Sequence, residues 1–595
     1  MLGAIYLSQE INPHNVMVNQ ETKVEQEGQH FFLRSKKDFD LYPTEIRIQL
    51  GGCEYFILLN GRIDDREHLF QKLSLDANKS VSDTYLIGML YQKFDLEFVN
   101  FLDGDFAFSI WDKQKNRLIL AKDPIGIKNL FYSVDSGSVI WSSAIRNILH
   151  IVPNQKVNSA YIKSFLLDHP IANESTAYEN IYRLESGEFL VCENGHIKKD
   201  YYYQFKIPSI TYRKEEDYFQ HFNQLFERSV HNRLRTPDNR VSIPLSGGVD
   251  SSSIIAMAEN INKKDNWKYN IATYSIVFDE KEADERKYIK SMLEKYNLKS
   301  TVVYGDEDWN FKIDFNVLKE LDEPYPLFNR ALASKTLSAA KRDNISVVLT
   351  GHGGDHILHA DLNYLGELLK KGKIINYIKD LKQWKNKYPL HQILKQNTLD
   401  PIFRKTRLEY PSWLKKERFA DMDLSTILTK RFEELKWDSK TITAYFNTII
   451  RQTGHEWFDQ YLSNPIGVER RYPFLDVKLM EFLAAVPPTL KIRPANNKYI
   501  IRESLKAYLP IEIYGRTTKG NHSFLITKGF KEEWNRITEY YDFKILTELG
   551  FVNGEEIKEY CERWYMGYRY DLYNASGIMR ALALEIWLSD KQDII

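Results

Sequence analysis

The sequence predicts an α/β chain of two unlike parts: a strand-rich α+β layered domain, then a parallel α/β domain with helical additions. Three observations carry this. Residues 1–205 hold short alternating segments at 45–50, 55–59, 107–111, 117–121, 130–133, 139–142 and 187–191, separated by turn residues such as Asn60-Gly61. Beyond 217, strand-like segments at 241–245, 271–278, 301–303 and 346–350 alternate with long helical patterns, as a parallel sheet requires. At 241–252, the residues VSIPLSGGVDSS join one of these strands to a helix through a Ser/Gly turn.

Taken in order, two helical patterns, 82–94 and 143–149, interrupt the first set of strands. Residues 206–216 (KIPSITYRKEE) form a polar connector with a proline. The expected organisation is therefore domain 1–205, connector 206–216 and domain 217–595, with helices dominating from Asp361 onward. No internal repeat interrupts this order. A chain of 595 residues is too long for one core. Apolar content of 43% and charged content of 27% are those of an ordinary globular protein. With 81 basic and 81 acidic residues, no general nucleic-acid-binding surface is expected. Cys53, Cys192 and Cys561 are spaced for neither a zinc site nor a disulfide framework, which favours a reducing cytoplasm. No signal peptide and no membrane-spanning apolar run is expected.

The turn after the strand at 241–245 is the most informative stretch. A strand feeding Ser246, Gly247 and Gly248 into a helix N-terminus makes an anion pocket of converging N–H groups. Ser246, Ser251 and Ser252 offer hydroxyl donors. Asp250 is unfavourable beside phosphate unless a cation sits between, so it implies Mg²⁺. The GxxxxGK[ST] spacing is absent. The run instead resembles the SGGxDS pyrophosphate loop of the ATP-pyrophosphatases that adenylate a carboxylate.

The segments LNGRIDDREHL at 59–69, FLDGDFAFSIWD at 101–112 and LAKDPIGIKNLFYS at 120–133 resemble the N-terminal, Ntn-hydrolase-like glutaminase domain of asparagine synthetase. That family begins Met-Cys-Gly and uses the cysteine as nucleophile. Here Leu2 stands at that position, and a leucine cannot attack an amide. Arg62 replaces the family's glutamate after Asn-Gly. The expectation is a domain without glutaminase activity, kept as scaffold; a hidden site using Cys53 is the rival. The amine is then free ammonia or an amine of the substrate.

The second part resembles the synthetase domain of the same superfamily. TYSIVF at 273–278 falls on its adenine-contacting strand, which implies Ser275 and Val277 as nucleotide contacts. Asp284-Glu285, DEP at 322–324, VVLTGHGGD at 347–355, VERRYPFLD at 468–476 and RALALEIWL at 580–588 match further segments. Gly351 is implied near the nucleotide, and Asp355 joins Asp250 as a Mg²⁺ ligand, each at the C-terminal end of a proposed strand. His352 stands where asparagine synthetase has glutamate and β-lactam synthetase a tyrosine of its catalytic dyad. It is either a proton acceptor for the incoming ammonium or a polar loop residue. Glu469 and Arg471 are carried over as catalytic residues bracing the pocket floor, with Asp476 beside them. Lys498, in KYIIRESL, is expected on one helix face with Arg502 as a nucleotide contact. Lys519, in GRTTKG, is implied to neutralise the α-phosphate and pyrophosphate.

Together these imply ATP and Mg²⁺ as cofactors and a two-step ligase. A carboxylate attacks the α-phosphorus of ATP, then an amine displaces AMP. A synthetase of this kind with a silent glutaminase is most similar to the lasso peptide cyclases. These join a core peptide's N-terminal amine to an Asp or Glu side chain, which implies a linear precursor peptide, a leader peptidase and a leader-recognition protein as partners. A β-lactam-synthetase-like cyclase or an ammonia-dependent asparagine synthetase shares most of the same features, and an inactive scaffold is the non-enzymatic alternative. Residues 361–400 hold eight lysines against four acids, either a solvated face or a groove for an acidic or extended peptide.

Overall fold

A computed structural model describes residues 2–6, 22–27, 30–35, 46–76, 81–135, 138–153, 155–167, 174–326, 330–403, 411–420, 442–443, 445–446, 455–494, 496–568 and 572–595. For 2–6, 22–27, 30–35, 135, 455–456 and 572–574 it describes the backbone alone. The first part is built from β1 (Leu2–Tyr6), β2 (Thr22–Glu27), β3 (His30–Ser35), β4 (Arg47–Leu50), β5 (Cys53–Asp64), β6 (Asp103–Asp112), β7 (Arg117–Lys122), β8 (Phe131–Asp135), β9 (Ser138–Ser142), β10 (Tyr182–Arg183), β11 (Glu188–Glu193) and β12 (His196–Tyr201). These form two antiparallel six-stranded sheets, ordered β10-β8-β9-β1-β3-β2 and β12-β11-β7-β6-β5-β4. Alternation along β5 explains the layering. Phe56 and Leu58 point between the sheets, where they meet Trp111, Tyr132 and Trp141. Tyr55, Ile57 and Leu59 point the other way, onto Leu86, Ile87 and Leu90 of the helix Asp83–Phe94. Ser82 caps that helix by accepting from Tyr85 N–H.

Strands β1 to β3 were not expected from the sequence, nor were the helices Arg66–Leu73 and Ser159–Leu167. Leu2 opens β1 opposite Arg34; its side chain lies outside the described residues. Residue 45 of the first expected strand also lies outside them. The polar connector is shorter than expected, because the helix Glu215–Leu234 already begins within it.

The second part is centred on a parallel sheet of β13 (Arg240–Pro244), β14 (Asn270–Val277), β15 (Ser300–Tyr304), β16 (Val347–Leu349) and β17 (Glu469–Arg471), in the order β15-β14-β13-β16-β17. Strands β14 and β15 extend to one side of β13, while β16 and β17 extend to the other. The order therefore reverses between β13 and β16, where open α/β sheets form a ligand crevice. Strand β17 was missed in sequence because three residues, Glu469 to Arg471, carry no apolar alternation.

The two parts meet across buried charge. Helix Glu215–Leu234 lays Arg228 and Arg233 against Asp103 and Asp105 of β6, and Arg235 beyond it reaches Asp83. Asp476 pairs with Arg228 and Arg233 while capping the helix Val477–Ala485. The DEP acids also face the boundary: Asp322 accepts from Arg146 Nε at 2.7 Å, and Glu323 from Arg183 Nη2 at 2.8 Å.

Candidate active site

Two loops meet at the reversal of strand order. The first runs from β13 into the helix Val249–Lys264, with Gly248 at its N-cap and Asp250 in its first turn. The second leads from β16 into the short helix Gly354–Ile357. They touch closely. A Cβ on Gly351 would lie 3.1 Å from Asp250 Cβ, and one on Gly354 only 2.9 Å from Asp250 Cγ. Glycine at both places lets the Asp250 carboxylate sit between the loops.

Lys498 ties the loops together. Its Nζ donates to Asp250 Oδ1 and Oδ2 at 2.7 and 2.6 Å and to Asp355 Oδ1 at 2.6 Å. Lys519 Nζ donates to Asp355 Oδ2 at 2.8 Å. Burial pushes the Asp250 carboxyl up, and Lys498 only partly offsets it. Burial acts on Asp355 as well, but Lys498 and Lys519 together hold it well below the usual carboxylate range. Lys519 is the exposed member, with 70% of its side chain in solvent. Asp250 and Asp355 thus converge on one cationic point, with oxygen ligands of the hard type that Mg²⁺ takes. That donor set fits the ion.

The serines of the first loop divide. Ser246 Oγ and Ser251 Oγ are 3.1 Å apart, and Ser251 also reaches Gly248 O. Ser252 is fully buried, and its hydroxyl has no hydrogen-bond partner among the described residues. Gly247 has φ of +70°, and a Cβ there would lie 2.8 Å from Tyr288 Cβ. Its carbonyl accepts from Arg516 Nη1 at 2.7 Å. Arg516 also pairs with buried Glu285, stacks 4.0 Å from the Tyr288 ring centroid, and donates through Nε to Thr518 O. Glu285 in turn accepts from Gly520 N–H at 3.1 Å. This bolt joins the first loop to the Lys519 loop. Glu285 and Arg516 lie 231 positions apart, so no local pattern links them. The only local sign was an arginine close before Lys519.

Other expected site residues sit elsewhere. Ser275 is fully buried and bonds Ser300 across the sheet at 2.7 Å, while Val277 packs into the core. Their side chains serve the sheet and the core. Lys498 does not share a helix face with Arg502. It stands before the helix Tyr499–Ser504 at φ +53°, and Arg502 turns inward to the carbonyls of Asn497, Ile513 and Tyr514. The left-handed turn at Lys498 is what aims its ammonium at the two acids.

Glu469 and Arg471 do not brace the pocket floor. Arg471 donates to Arg233 O and Arg235 O, the C-terminal carbonyls of the helix Glu215–Leu234, at 2.9 and 2.6 Å. Glu469 pairs with Arg471 at 3.1 Å and lies 3.6 Å from both Lys128 and Arg62. Burial opposes its charge, but Arg471, Lys128 and Arg62 hold it well below the carboxylate range. Arg62 is itself fully buried, bonded to Asp105 at 2.6 Å and Asp64 at 2.8 Å. Both VERRYPFLD residues therefore belong to the domain boundary. Only the Arg471 backbone reaches the site, accepting from Thr350 N–H at 2.9 Å.

His352 follows Gly351 at the start of the second loop. Its N–H donates to Thr350 Oγ1 at 3.2 Å, and its ring meets Phe458 and Tyr472 edge-on at 6.0 and 5.7 Å between centroids. Tyr472 is held by a 2.5 Å hydrogen bond to Asp459, in the π-helical segment Asp459–Ser463. His356, the next histidine, is pushed down by burial.

The asparagine synthase family model matches residues 221–589, and that of a glutamine amidotransferase domain matches residues 51–203. The chain is 24% identical over 570 residues to Amidase chyE of Penicillium rubens, covering 85% of this chain and 82% of that protein. It is 23% identical over 554 residues to asparagine synthetase [glutamine-hydrolyzing] 2 of Bacillus subtilis, covering 87% and 71% respectively. It is 26% identical over 375 residues to a protein of Methanocaldococcus jannaschii named as putative asparagine synthetase [glutamine-hydrolyzing] 2, covering 59% and 70%. With a Ser-Gly loop opening a helix at the sheet's reversal point and a family match over most of its length, the chain belongs to the asparagine synthase family and is an ATP-dependent amide-forming ligase.

Proposed function

We propose that this protein closes a macrolactam in a peptide, as a lasso peptide cyclase does. The observation that carries this reading is a pairing within one chain. The phosphate cradle keeps its two acids and two lysines, while the amidotransferase-type domain holds a buried, ion-paired Arg62 in its Asn-Gly-Arg segment. Cys192 and Cys561 are buried, and burial pushes both thiols up, which makes them poor nucleophiles. A domain that supplies no ammonia leaves the amine to the substrate.

In the first step an Asp or Glu side-chain oxygen of the peptide attacks the α-phosphorus of ATP and pyrophosphate leaves. Ser246, the N–H groups after Gly247 and Lys519 hold the phosphates. Asp250 and Asp355 would hold Mg²⁺, which supplies charge neutralisation on the β- and γ-phosphates when bound. Lys498 then moves from the acids onto phosphate. In the second step the peptide's N-terminal amine attacks the activated carbonyl, AMP leaves, and His352 takes the amine's proton. The linear precursor peptide, a leader peptidase and a leader-recognition protein are the partners this reading requires. A cytoplasmic setting belongs to the same proposal, since all three cysteines are free thiols.

The similarity to an asparagine synthetase over most of the chain favours a second reading, amidation of a small carboxylate by ammonia. One experiment separates them. The protein is incubated with Mg-ATP and linear peptides bearing a free N-terminus and an internal Asp or Glu. The cyclase reading expects a product lighter by one water, with AMP formed in step. An ammonium-dependent amide on a small acid, with the peptides untouched, overturns it. Glutamate release from glutamine that is lost in Cys53→Ala would overturn the silent-glutaminase part.

A further inference from the structure

We propose that the outer face of residues 370–399 docks an acidic, amphipathic peptide segment of a partner protein. The proposal goes beyond the reaction above and does not depend on it. The helix Ile374–Trp384 is anchored from beneath by Tyr377 and Trp384, whose Nε1 donates to Tyr364 OH at 3.1 Å. Its outer face is therefore presented on a fixed frame. That face carries Ile374, Ile375 and Ile378, and Ile375 is 83% exposed. All eight lysines of the segment are exposed, Lys371 pairing with Glu367 just before it and Lys379 and Lys382 standing one turn from the isoleucines, while its single internal acid, Asp380, is buried. In a chain whose charges balance to zero, this is a local cationic surface with no exposed acid among residues 370–399.

The arrangement also says what kind of anion fits. Ile375 and Lys379 are neighbours one turn apart, as are Ile378 and Lys382. Apolar and cationic groups thus share one face. A helix that lies on a membrane separates them onto opposite faces. The complement to a mixed face is a segment with carboxylates beside aliphatic side chains at the same one-turn spacing, which meets both in register.

The test uses the full-length protein and a fluorescent synthetic helical peptide with glutamate and leucine one turn apart. A peptide of the same composition in scrambled order and vesicles containing phosphatidylserine run beside it, at a salt concentration of about 150 mM, where loose surface attraction is screened. The ordered peptide should bind more tightly than the scrambled one. Lys379→Glu with Lys382→Glu, and separately Ile375→Ser with Ile378→Ser, should each weaken it by roughly tenfold or more. These side chains are exposed, so unfolding midpoints should stay at the wild-type value. Equal binding of both peptides, indifference to the isoleucine changes, or preference for vesicles over the peptide would each overturn the proposal.

Discussion

Lys498 and Lys519 look alike in a motif but sit differently in the molecule, and their variants should separate. Lys498 is mostly buried and stands between two acids, one of them deep. Lys498→Ala leaves Asp250 without its cation, so turnover should fall by about 100-fold or more and thermal stability should fall with it. Lys519 pairs with Asp355 in solvent, and such exposed pairs contribute about 0–1 kcal/mol. Lys519→Ala should therefore keep the wild-type unfolding midpoint while losing more than ~10-fold in turnover. A turnover loss smaller than that would remove Lys519 from the phosphate site. His352→Ala should leave Mg-ATP affinity intact, measured by calorimetry, and depress the amide-forming step alone; equal loss of both would make the residue structural.

At the scale of elements, the phosphate loop depends on a conformation and a bolt. Gly247 is left-handed and packed against Tyr288, so Gly247→Ala pays a strain of about 1–2 kcal/mol and meets a clash besides. The loop should refold away from its N–H cradle, and Mg-ATP affinity should fall by at least ~10-fold while circular dichroism stays native. Arg516→Lys tests the bolt. A lysine cannot bond Glu285, Gly247 O and Thr518 O from one planar group, so Mg-ATP affinity should weaken here too. Unchanged affinity would show that the loop is held by its helix alone.

Across the whole molecule, buried charge joins the domains. Arg62→Ala leaves Asp64 without its ion-pair partner and takes one cation from Asp105 and Glu469, which keep Arg233 and Arg471, and removing one partner of such a buried set costs about 3–5 kcal/mol. Denaturant unfolding should show that loss, or a first transition in which the domains part. The same set fixes a pH dependence. Glu469 has an ordinary carboxylate value of 4.5 and is held well below it in the folded protein. Between those values the unfolded chain binds the extra proton, so stability rises with pH there and is lost as pH falls. Glu469→Gln abolishes this contribution. Its unfolding midpoint should lie below wild type at neutral pH and decline less steeply on acidification below 4.5. Parallel acid limbs for the two proteins would exclude Glu469 as the source.

Local pattern determined most of the scaffold and the strand-turn-helix form of the first loop, whose kind the motif's resemblance implied. Alternation marked β5 to β9 and β13 to β16, and the Ser-Gly-Gly-x-Asp run announced a strand, a turn and a helix N-terminus. Those features depend on neighbours a few residues apart, which a sequence displays. The tertiary structure decided what depends on partners far along the chain. It turned Glu469 and Arg471 from the reaction to the domain boundary, bonded the Ser275 hydroxyl to Ser300, and closed Arg516 on Glu285 across 231 positions. It also set Lys498 between two acids that lie 248 and 143 residues away. The direction in which a charged side chain points is set by which opposite charge folding brings within reach, and residue spacing does not record that.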